Sequence, residues 1–470
     1  MRLFDVIRLL KDYLVLGIIA FVVISLVFSI GYFIIYKKFM NVKKRLKPYR
    51  VLLYGIFIIY VMTVFGVTFI IRYGDNHGGL NLHVLSSYID AWNSFSIAEW
   101  RNIILNILMF APLGFMLPLL FKRCEKWYIT YLIGFISTLF IETFQLIWNK
   151  GIFEIDDIIN NTLGCIIGYG IVMIFILNIN KNYKYKKNKN VRIGMLQVPL
   201  ILTIIIFTTI FVSYSKLELG NLTYAASYNI DMDTIDLSND LVLDSSKREA
   251  YVYEAAVGNK EEAIKFANKI FSKVNTVVDE ELNDVYDDTI ICKSEDGKYS
   301  LWVDYLGFTT NFTDITQLDS EGESGLAFNE VVDLLNVYNI IIPEEAEFDD
   351  IGNGDYSLLI DMVKVGDGYL TGDLTCTVNS NNHIIRFNNN ILSLKPYKGY
   401  DILSESEAYN KIINGEFKDY VSLNKNSKIK IIDVTLNYEM DSKGFYQPVY
   451  NFSIEIDNYL SSITIPALKR

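Results

Sequence analysis

Histidine and cysteine are scarce in this sequence, with 3 and 4 residues respectively among 470. The cysteines form no CxxC pair and no Cys/His zinc spacing, and no Gly-x-Ser-x-Gly or P-loop motif is present. His77 and His83 lie in one segment with Asp75 and Asp90, but their spacing matches no known ligand pattern. The sequence therefore predicts no metal site and no cofactor, and it identifies no catalytic residue.

Basic residues are scarce in the second half. Residues 216–470 carry 21 Lys and Arg against 44 Asp and Glu, a net charge of −23, whereas residues 1–215 carry 22 against 10, or +12. No basic patch with interleaved aromatic residues stands out, so nucleic acid is not an expected partner. An acidic domain would not bind anionic lipid unaided either.

The first half contains a series of apolar runs, each close to the ~20 residues that cross a bilayer. They predict six spans, at residues 13–36, 49–71, 103–121, 127–148, 158–177 and 196–214. The first run is too long for a signal-peptide core, so we interpret it as a retained helix. The predicted organisation is an N-terminal helix with a basic loop (1–48), a membrane module (49–180), a basic loop with the last span (181–215), and a soluble domain (216–470).

Lys and Arg in the short loops predict the orientation, because cytoplasmic loops are enriched in them. The first, third and fifth loops are basic, whereas the second has only Arg72 and Arg101 and the fourth only Lys150. The basic loops are then cytoplasmic. We predict a multi-pass cell-membrane protein with both termini and the acidic half outside the cytoplasm.

Polar residues recur at helical spacing inside the third, fourth and fifth runs. Ionisable and amide side chains are costly in a bilayer, so they usually face a protein interior and mark a function. At a rise of 1.5 Å per residue, Asn106 lies about 7 Å below Arg101, and the other polar residues reach a similar outer-leaflet depth. The predicted polar pocket consists of Arg101, Asn102, Asn106, Glu142, Gln145, Asp156, Asp157, Asn160 and Asn161.

A purely structural role is the alternative for these residues. Asn and Gln hydrogen-bond between membrane helices, and Gly-x3-Gly lets two backbones approach closely. For Pro112, Gly114, Gly164 and Gly168 we predict such a packing role. Asp156 or Asp157 is also a plausible N-cap for the fifth predicted span. Glu142 differs, because a carboxylate at that depth needs a proton or a cation, for which Arg101 is the nearest candidate.

The order of these motifs resembles a known family. The patterns N-x3-N-x3-F-x-P-x-G, E-x2-Q and D-D-x2-N-N-x2-G-x3-G are similar to those of the VanZ family of bacterial membrane proteins, over residues 45–180. Family members often carry an Arg just before the acidic pair, whereas here Lys150 is the only nearby cation. The resemblance implies a link to resistance against the glycopeptide teicoplanin, without a defined chemistry.

From residue 216 the pattern changes to short alternating strands interrupted by amphipathic helices. Residues 217–246 are predicted to be a linker with some strand. Three helices at 260–274, 328–337 and 404–414, each followed by strands, then predict small α+β modules repeating about every 70 residues. The third module, with Gly444-Phe445-Tyr446-Gln447-Pro448 near its end, resembles the exported domains of YycI-type regulators and PepSY-like modules. Nothing in this half resembles a catalytic site.

Cys292 and Cys376 lie in this acidic half. They could form a disulfide if that half is exported. Two buried thiols are the alternative, which we favour.

The fold predicted overall is an α-helical membrane domain followed by an extracytoplasmic α+β domain. Its expected role is envelope defence against glycopeptide or amphiphilic antibiotics, through a pocket that binds a membrane lipid or a lipid-linked cell-wall precursor. The C-terminal domain would bind an envelope partner. Alternatives are a membrane enzyme that uses Glu142 and Asp157 as an acid/base pair, and a sensor whose C-terminal domain is the input. We favour a protein without enzymatic activity.

Overall fold

The computed structural model describes residues 48–70, 79–179, 188–286, 289–320, 322, 325–418, 423, 427–457 and 459–469. The chain divides into two compact units, Met1–Asn229 and Ile230–Arg470. Residues 216–229 therefore group with the helices that precede them. The first predicted span, residues 13–36, lies outside the described residues.

Long apolar helices build the first unit. They are α1 (Pro48–Phe65), α2 (Ser86–Ser94), α3 (Ile97–Leu120), α4 (Trp127–Ile147), α5 (Ile155–Ile179) and α6 (Lys189–Ser215). In the described part of the chain, five helices are long and apolar enough to cross a membrane: α2 is too short, and α1 continues as a π-helical turn, Gly66–Ile70. These five correspond to five of the six predicted spans. The chain is thus a membrane protein with a helical module followed by a second unit.

The segment between the second and third predicted spans is ordered in its later part. We expected a solvated loop over residues 72–100, and for residues 79–100 this expectation is wrong. β1 (Gly79–Asn81) pairs in parallel with β2 (Ile152–Glu154), and α2 follows it with Ala91 fully buried. The apolar residues of α2 recur at three- and four-residue spacing, so one face of this helix packs inward.

The second unit is built on one sheet. Its strands are β3 (Asp236–Asn239), β4 (Arg248–Ala255), β5 (Val278–Val285), β6 (Thr289–Ser294), β7 (Tyr299–Asp304), β8 (Thr310–Asp314), β9 (Glu347–Gly352), β10 (Asp355–Val365), β11 (Gly368–Val378), β12 (Ile384–Asn389), β13 (Leu392–Ile402), β14 (Lys428–Met440), β15 (Phe445–Ile456) and β16 (Tyr459–Pro466). Its main path runs β3-β14-β15-β4-β13-β11-β12-β8-β7-β6-β5, with β9, β10 and β16 attached beside it.

The three predicted modules thus share one hydrogen-bonded sheet instead of standing apart. β4 joins them, because it pairs with β13 on one side and β15 on the other. Along β4 the buried side switches: Ala250 faces one core, whereas Tyr253 and Ala255 lie in a separate tyrosine-rich cluster. Through β13, which pairs with β11, and through β15, β4 connects strands of the second and third modules in one sheet.

Three helices cover the sheet close to their predicted positions: α7 (Lys260–Lys273), α8 (Phe328–Asn336) and α9 (Glu405–Ile413). Helices α7 and α8 bury their apolar faces in one core, and α9 in a second. Asn259 and Ser404 cap α7 and α9, each with a Glu three residues on that returns the bond. Cys292 and Cys376 are free, buried thiols of the first core.

Candidate functional site

The predicted polar residues meet where α3 and α5 begin and α4 ends. Ser96 starts α3 by accepting a hydrogen bond from the Ala98 amide, 3.1 Å away. Because α4 runs antiparallel to α3, its C-terminal residues lie at the level where α3 begins. The exposed fraction is 2% or less for Glu142, Gln145, Asp156, Asn160 and Asn161.

Asn106 and Asp157 connect α3 to α5. The Asn106 Nδ2 donates to Asp157 Oδ1 over 2.5 Å, and both side chains are half-buried. In a bilayer, an inter-helical hydrogen bond of this kind also relieves the cost of a polar group away from water. The two motifs that first indicated a site are therefore in direct contact.

Asp156 caps a helix other than its own. Its two carboxylate oxygens accept hydrogen bonds from the Leu85 amide at 2.7 Å and the Ser87 amide at 2.9 Å. These amides belong to the start of α2, where a negative charge is favourable beside the positive end of the helix dipole. Asp156 thus fixes α2 over the beginning of α5.

Tyr88, the residue after Ser87 in α2, makes a further contact with α5. Its hydroxyl donates to Asn160 Oδ1 over 2.5 Å. Burial, with a smaller contribution from the charge of Asp156, raises the pKa of Tyr88 to about 12, so the phenol stays a neutral donor. Sequence reasoning missed Tyr88, although Tyr88, Ala91, Trp92 and Phe95 follow the spacing of one helix face.

Glu142 and Gln145 lie on the other side of the site. Glu142 Oε2 accepts a hydrogen bond from the Glu154 amide at 3.2 Å, at the end of β2. Gln145 Nε2 donates to the Thr68 carbonyl at 3.1 Å, inside the π-helical turn that follows α1. A π-turn breaks the regular i→i−4 pattern, which leaves a carbonyl available to a side chain.

The remaining pocket residues divide between buried and exposed positions. Asn161 Nδ2 donates to Thr138 Oγ1 at 2.9 Å, which ties α5 to α4. Asn102 is exposed and lies outside the cluster. Arg101 is half-buried, with its Nε buried and unpartnered. The Arg101–Glu142 ion pair that we considered is not formed.

Within the described part of the chain, three buried donors near these residues have no protein acceptor: Asn160 Nδ2, Trp100 Nε1 and Arg101 Nε. An unsatisfied buried polar group costs about 1–3 kcal/mol, which a bound acceptor would recover. The Asn161 Oδ1 and Thr162 Oγ1 acceptors are also unpartnered. The region can therefore both donate to and accept from a polar ligand.

Close backbone contact between α3 and α5 sets the geometry. A Cβ added at Gly164 would lie 1.9 Å from the Ile107 carbonyl oxygen, and one at Gly168 1.9 Å from that of Ala111. The same holds for Gly114 against the Cys165 carbonyl oxygen. Pro112 lies within α3 and is exposed.

We refer to Asn106, Glu142, Gln145, Asp156, Asp157, Asn160 and Asn161 as the polar cluster. Residues 51–176 match the VanZ/LLP1 family model, which covers this cluster. The resemblance predicted from the motifs is confirmed for this part of the chain. No curated protein sequence matches the chain.

Among solved structures, the chain is similar to an uncharacterized protein from Eubacterium rectale, with 10% identity, a TM-score of 0.27, and coverage of 50% of this chain and 87% of that one. It is also similar to the Bacillus megaterium YpeB C-terminal domain, with 12% identity, a TM-score of 0.22, and coverage of 45% and 98%. TM-scores this low carry no argument about fold or function.

Proposed function

We propose that this protein, with its VanZ-like helical module, acts in the bacterial envelope by binding a lipid head group or a lipid-linked cell-wall precursor at the polar cluster. The observation that carries the proposal is the convergence of buried carboxylates and amides from three apolar helices. A single Asp at the centre of a membrane helix costs about 2.5–3.5 kcal/mol on insertion scales, so such a concentration indicates a function.

The position of the loops favours the outer leaflet as the place of binding. The loop between α3 and α4 contains Lys122, Arg123 and Lys126, which points to the cytoplasm under the positive-inside rule. The opposite ends of these helices carry the polar cluster. A ligand on the outer face would be a phospholipid head group or the head of a cell-wall precursor.

Protection against glycopeptide or amphiphilic antibiotics follows as the proposed cellular role. Support comes from the VanZ-like motifs, since VanZ is associated with teicoplanin resistance, and from the distribution of Lys and Arg, which favours an outward position of the cluster. In this proposal the second unit is extracytoplasmic and binds an envelope partner or ligand. Neither role requires a catalytic reaction at the polar cluster.

The test compares Glu142→Gln with Glu99→Gln in a susceptible bacterial host. Glu99 is an exposed carboxylate in the first turn of α3, so it serves as the matched control. We expect Glu142→Gln to abolish protection against teicoplanin at normal membrane abundance, and Glu99→Gln to retain it. A fully protective Glu142→Gln protein would contradict a site that needs the charge.

Lipids that copurify with the protein identify the ligand class. Mass spectrometry should detect one lipid class enriched with the unaltered protein and lost in Glu142→Gln. If the purified protein instead converts that lipid into a product, and Glu142→Gln binds without converting it, the enzymatic alternative replaces this proposal.

A further inference from the structure

The chain returns to α2 after its last apolar helix. Residues 216–229, which we name the strap, follow α6 and still belong to the first unit. Leu219, Asn221 and Leu222 are buried there, with exposed fractions of 9%, 6% and 4%. A connecting segment that buries its side chains in this way is packed in place, unlike an ordinary solvated linker.

Two reciprocal hydrogen bonds attach the strap to the end of α2. Asn221 Nδ2 donates to the Trp92 carbonyl at 2.7 Å. Asn93 Nδ2 donates to the Ala225 carbonyl at 3.0 Å. Each side thus supplies one amide and one backbone carbonyl, and Asn93 and Asn221 are both buried.

Aromatic contacts reinforce the attachment at both ends of α2. The rings of His83 and Tyr228 stack 3.8 Å apart and almost parallel, just before α2 begins. Phe95, just after α2 ends, stacks on Tyr214 near the end of α6. The strap and the end of α6 together hold the two ends of α2.

Helix α2 also contacts the polar cluster. Asp156 accepts from the amides of Leu85 and Ser87, and Asn160 accepts from Tyr88. At nine residues, α2 is shorter than the ~12–15 residues at which an isolated helix is even marginal in water. Its order therefore depends on what it touches: the cluster, the strap, the end of α6, and the apolar core that Ala91 shares with Trp100 and Ile103.

We propose that α2 is a lid over the polar cluster and that the strap is the latch that keeps this lid closed. Releasing the strap removes the hydrogen bonds of Asn93 and Asn221, so that the remaining contacts of α2 break more often and open the cluster to ligand. The strap ends at Asn229, directly before the second unit begins at Ile230. A change that pulls on the chain at that point, such as partner binding by the second unit, would thus control access to the site.

This proposal rests on the proposed function only in treating the polar cluster as a ligand site. The opening of α2 itself is tested without a ligand. Ala91, fully buried on the inner face of α2, is replaced by Cys as a probe. The four native cysteines are buried, which keeps the background low. The measurement is the rate of maleimide modification of Ala91→Cys in the purified full-length protein, read by mass spectrometry at that site.

We expect Asn221→Ala to raise this rate about fivefold, because one net hydrogen bond no longer opposes opening. Asn93→Ala should have the same effect, and the double variant a larger one. Asn190→Ala, an exposed Asn at the far end of α6, is the matched control and should leave the rate unchanged. Equal rates in Asn221→Ala and Asn190→Ala would overturn the proposal.

If Asn221→Ala fails to accumulate in the membrane, His83→Ala replaces it, because His83 is exposed and its loss leaves no cavity. A faster rate in His83→Ala supports the latch, and an unchanged one overturns it. Faster labelling together with a fully protective Glu142→Gln protein would retain the latch and contradict a ligand site that needs the Glu142 charge. Unchanged labelling with an inactive Glu142→Gln protein would reject the latch alone.

Discussion

Asn106 and Asp157 form a hydrogen bond of 2.5 Å although 51 residues separate them in the chain. The bond connects the first and last of the three helices that carry the polar cluster. It lies just above the crossing where Gly164 meets the backbone of α3. The polar contact and the close packing therefore depend on the same alignment of α3 and α5.

Replacing Asn106 by Leu should lower stability and protection together. The variant removes the hydrogen bond, with an expected net loss of about 0.5–1.5 kcal/mol in the free energy of unfolding. Denaturant titration of the purified protein measures the first effect and the antibiotic assay the second. Asn102→Leu is the control, because Asn102 is exposed one turn earlier on the same helix. Equal effects of the two variants would contradict a specific role for Asn106.

Gly164→Ala should disrupt the packing of α3 against α5. Its new Cβ would lie 1.9 Å from the Ile107 carbonyl oxygen, which is backbone and cannot rotate away. Overpacking of this kind costs typically about 1–3 kcal/mol, so we expect a lower melting temperature. Gly194→Ala in α6 meets nothing within 4 Å and should be neutral or slightly stabilising. A melting temperature of Gly164→Ala equal to that of Gly194→Ala would contradict the close contact.

Cysteine labelling in intact cells tests the orientation. A Cys at Val84 or Val242, both exposed, should react with a membrane-impermeant reagent added outside. A Cys at the exposed Arg123 should react only after the cells are opened. Labelling of Arg123→Cys in intact cells would reverse the orientation.

The second unit should fold as a separate fragment, residues 230–470. Its two main cores are formed entirely by its own strands and helices, and α7 and α9 carry complete capping boxes. We expect a soluble protein with one cooperative melting transition and mixed α/β circular dichroism. An insoluble or unfolded fragment would show that the helical unit is needed to complete its fold.

Asp244 gives this fragment a specific dependence on pH. Hydrogen bonds from the Ser246 amide and hydroxyl, and then from Arg248, lower the pKa of Asp244 from 3.8 to about 2. A lowered folded-state pKa stabilises the fold above the ordinary value, and this contribution disappears as the pH falls toward 2. The melting temperature of the unaltered fragment should therefore exceed that of Asp244→Asn at pH 5, with the gap closing near pH 2.

Asp240→Asn is the control for this experiment, since Asp240 is highly exposed and forms an exposed ion pair with Lys430. Its difference from the unaltered fragment should be small at both pH values. A gap between the unaltered fragment and Asp244→Asn that stays constant from pH 5 to pH 2 would contradict the lowered pKa.

Local pattern predicted most of the helices and strands. Apolar runs indicated α1 and α3 to α6, and alternation indicated strands such as β15, whose predicted bounds match the structure. β4 was missed because its buried side switches, so that Val252 and Tyr253 are buried in succession. β13 was missed because Pro396 and Gly399 interrupt it, and its register shifts at Pro396.

By itself, the sequence determined that apolar helices carry polar residues at one level, and that an acidic α+β region follows. Both properties follow from local patterns of apolar, polar and charged residues, which neighbouring residues in the chain encode. Only the tertiary structure decided the partners: Asp156 caps a helix 71 residues earlier, and Asn221 bonds to Trp92 across 129 residues. Such pairs depend on how each helix is rotated and where the chain returns, and long-range packing fixes both.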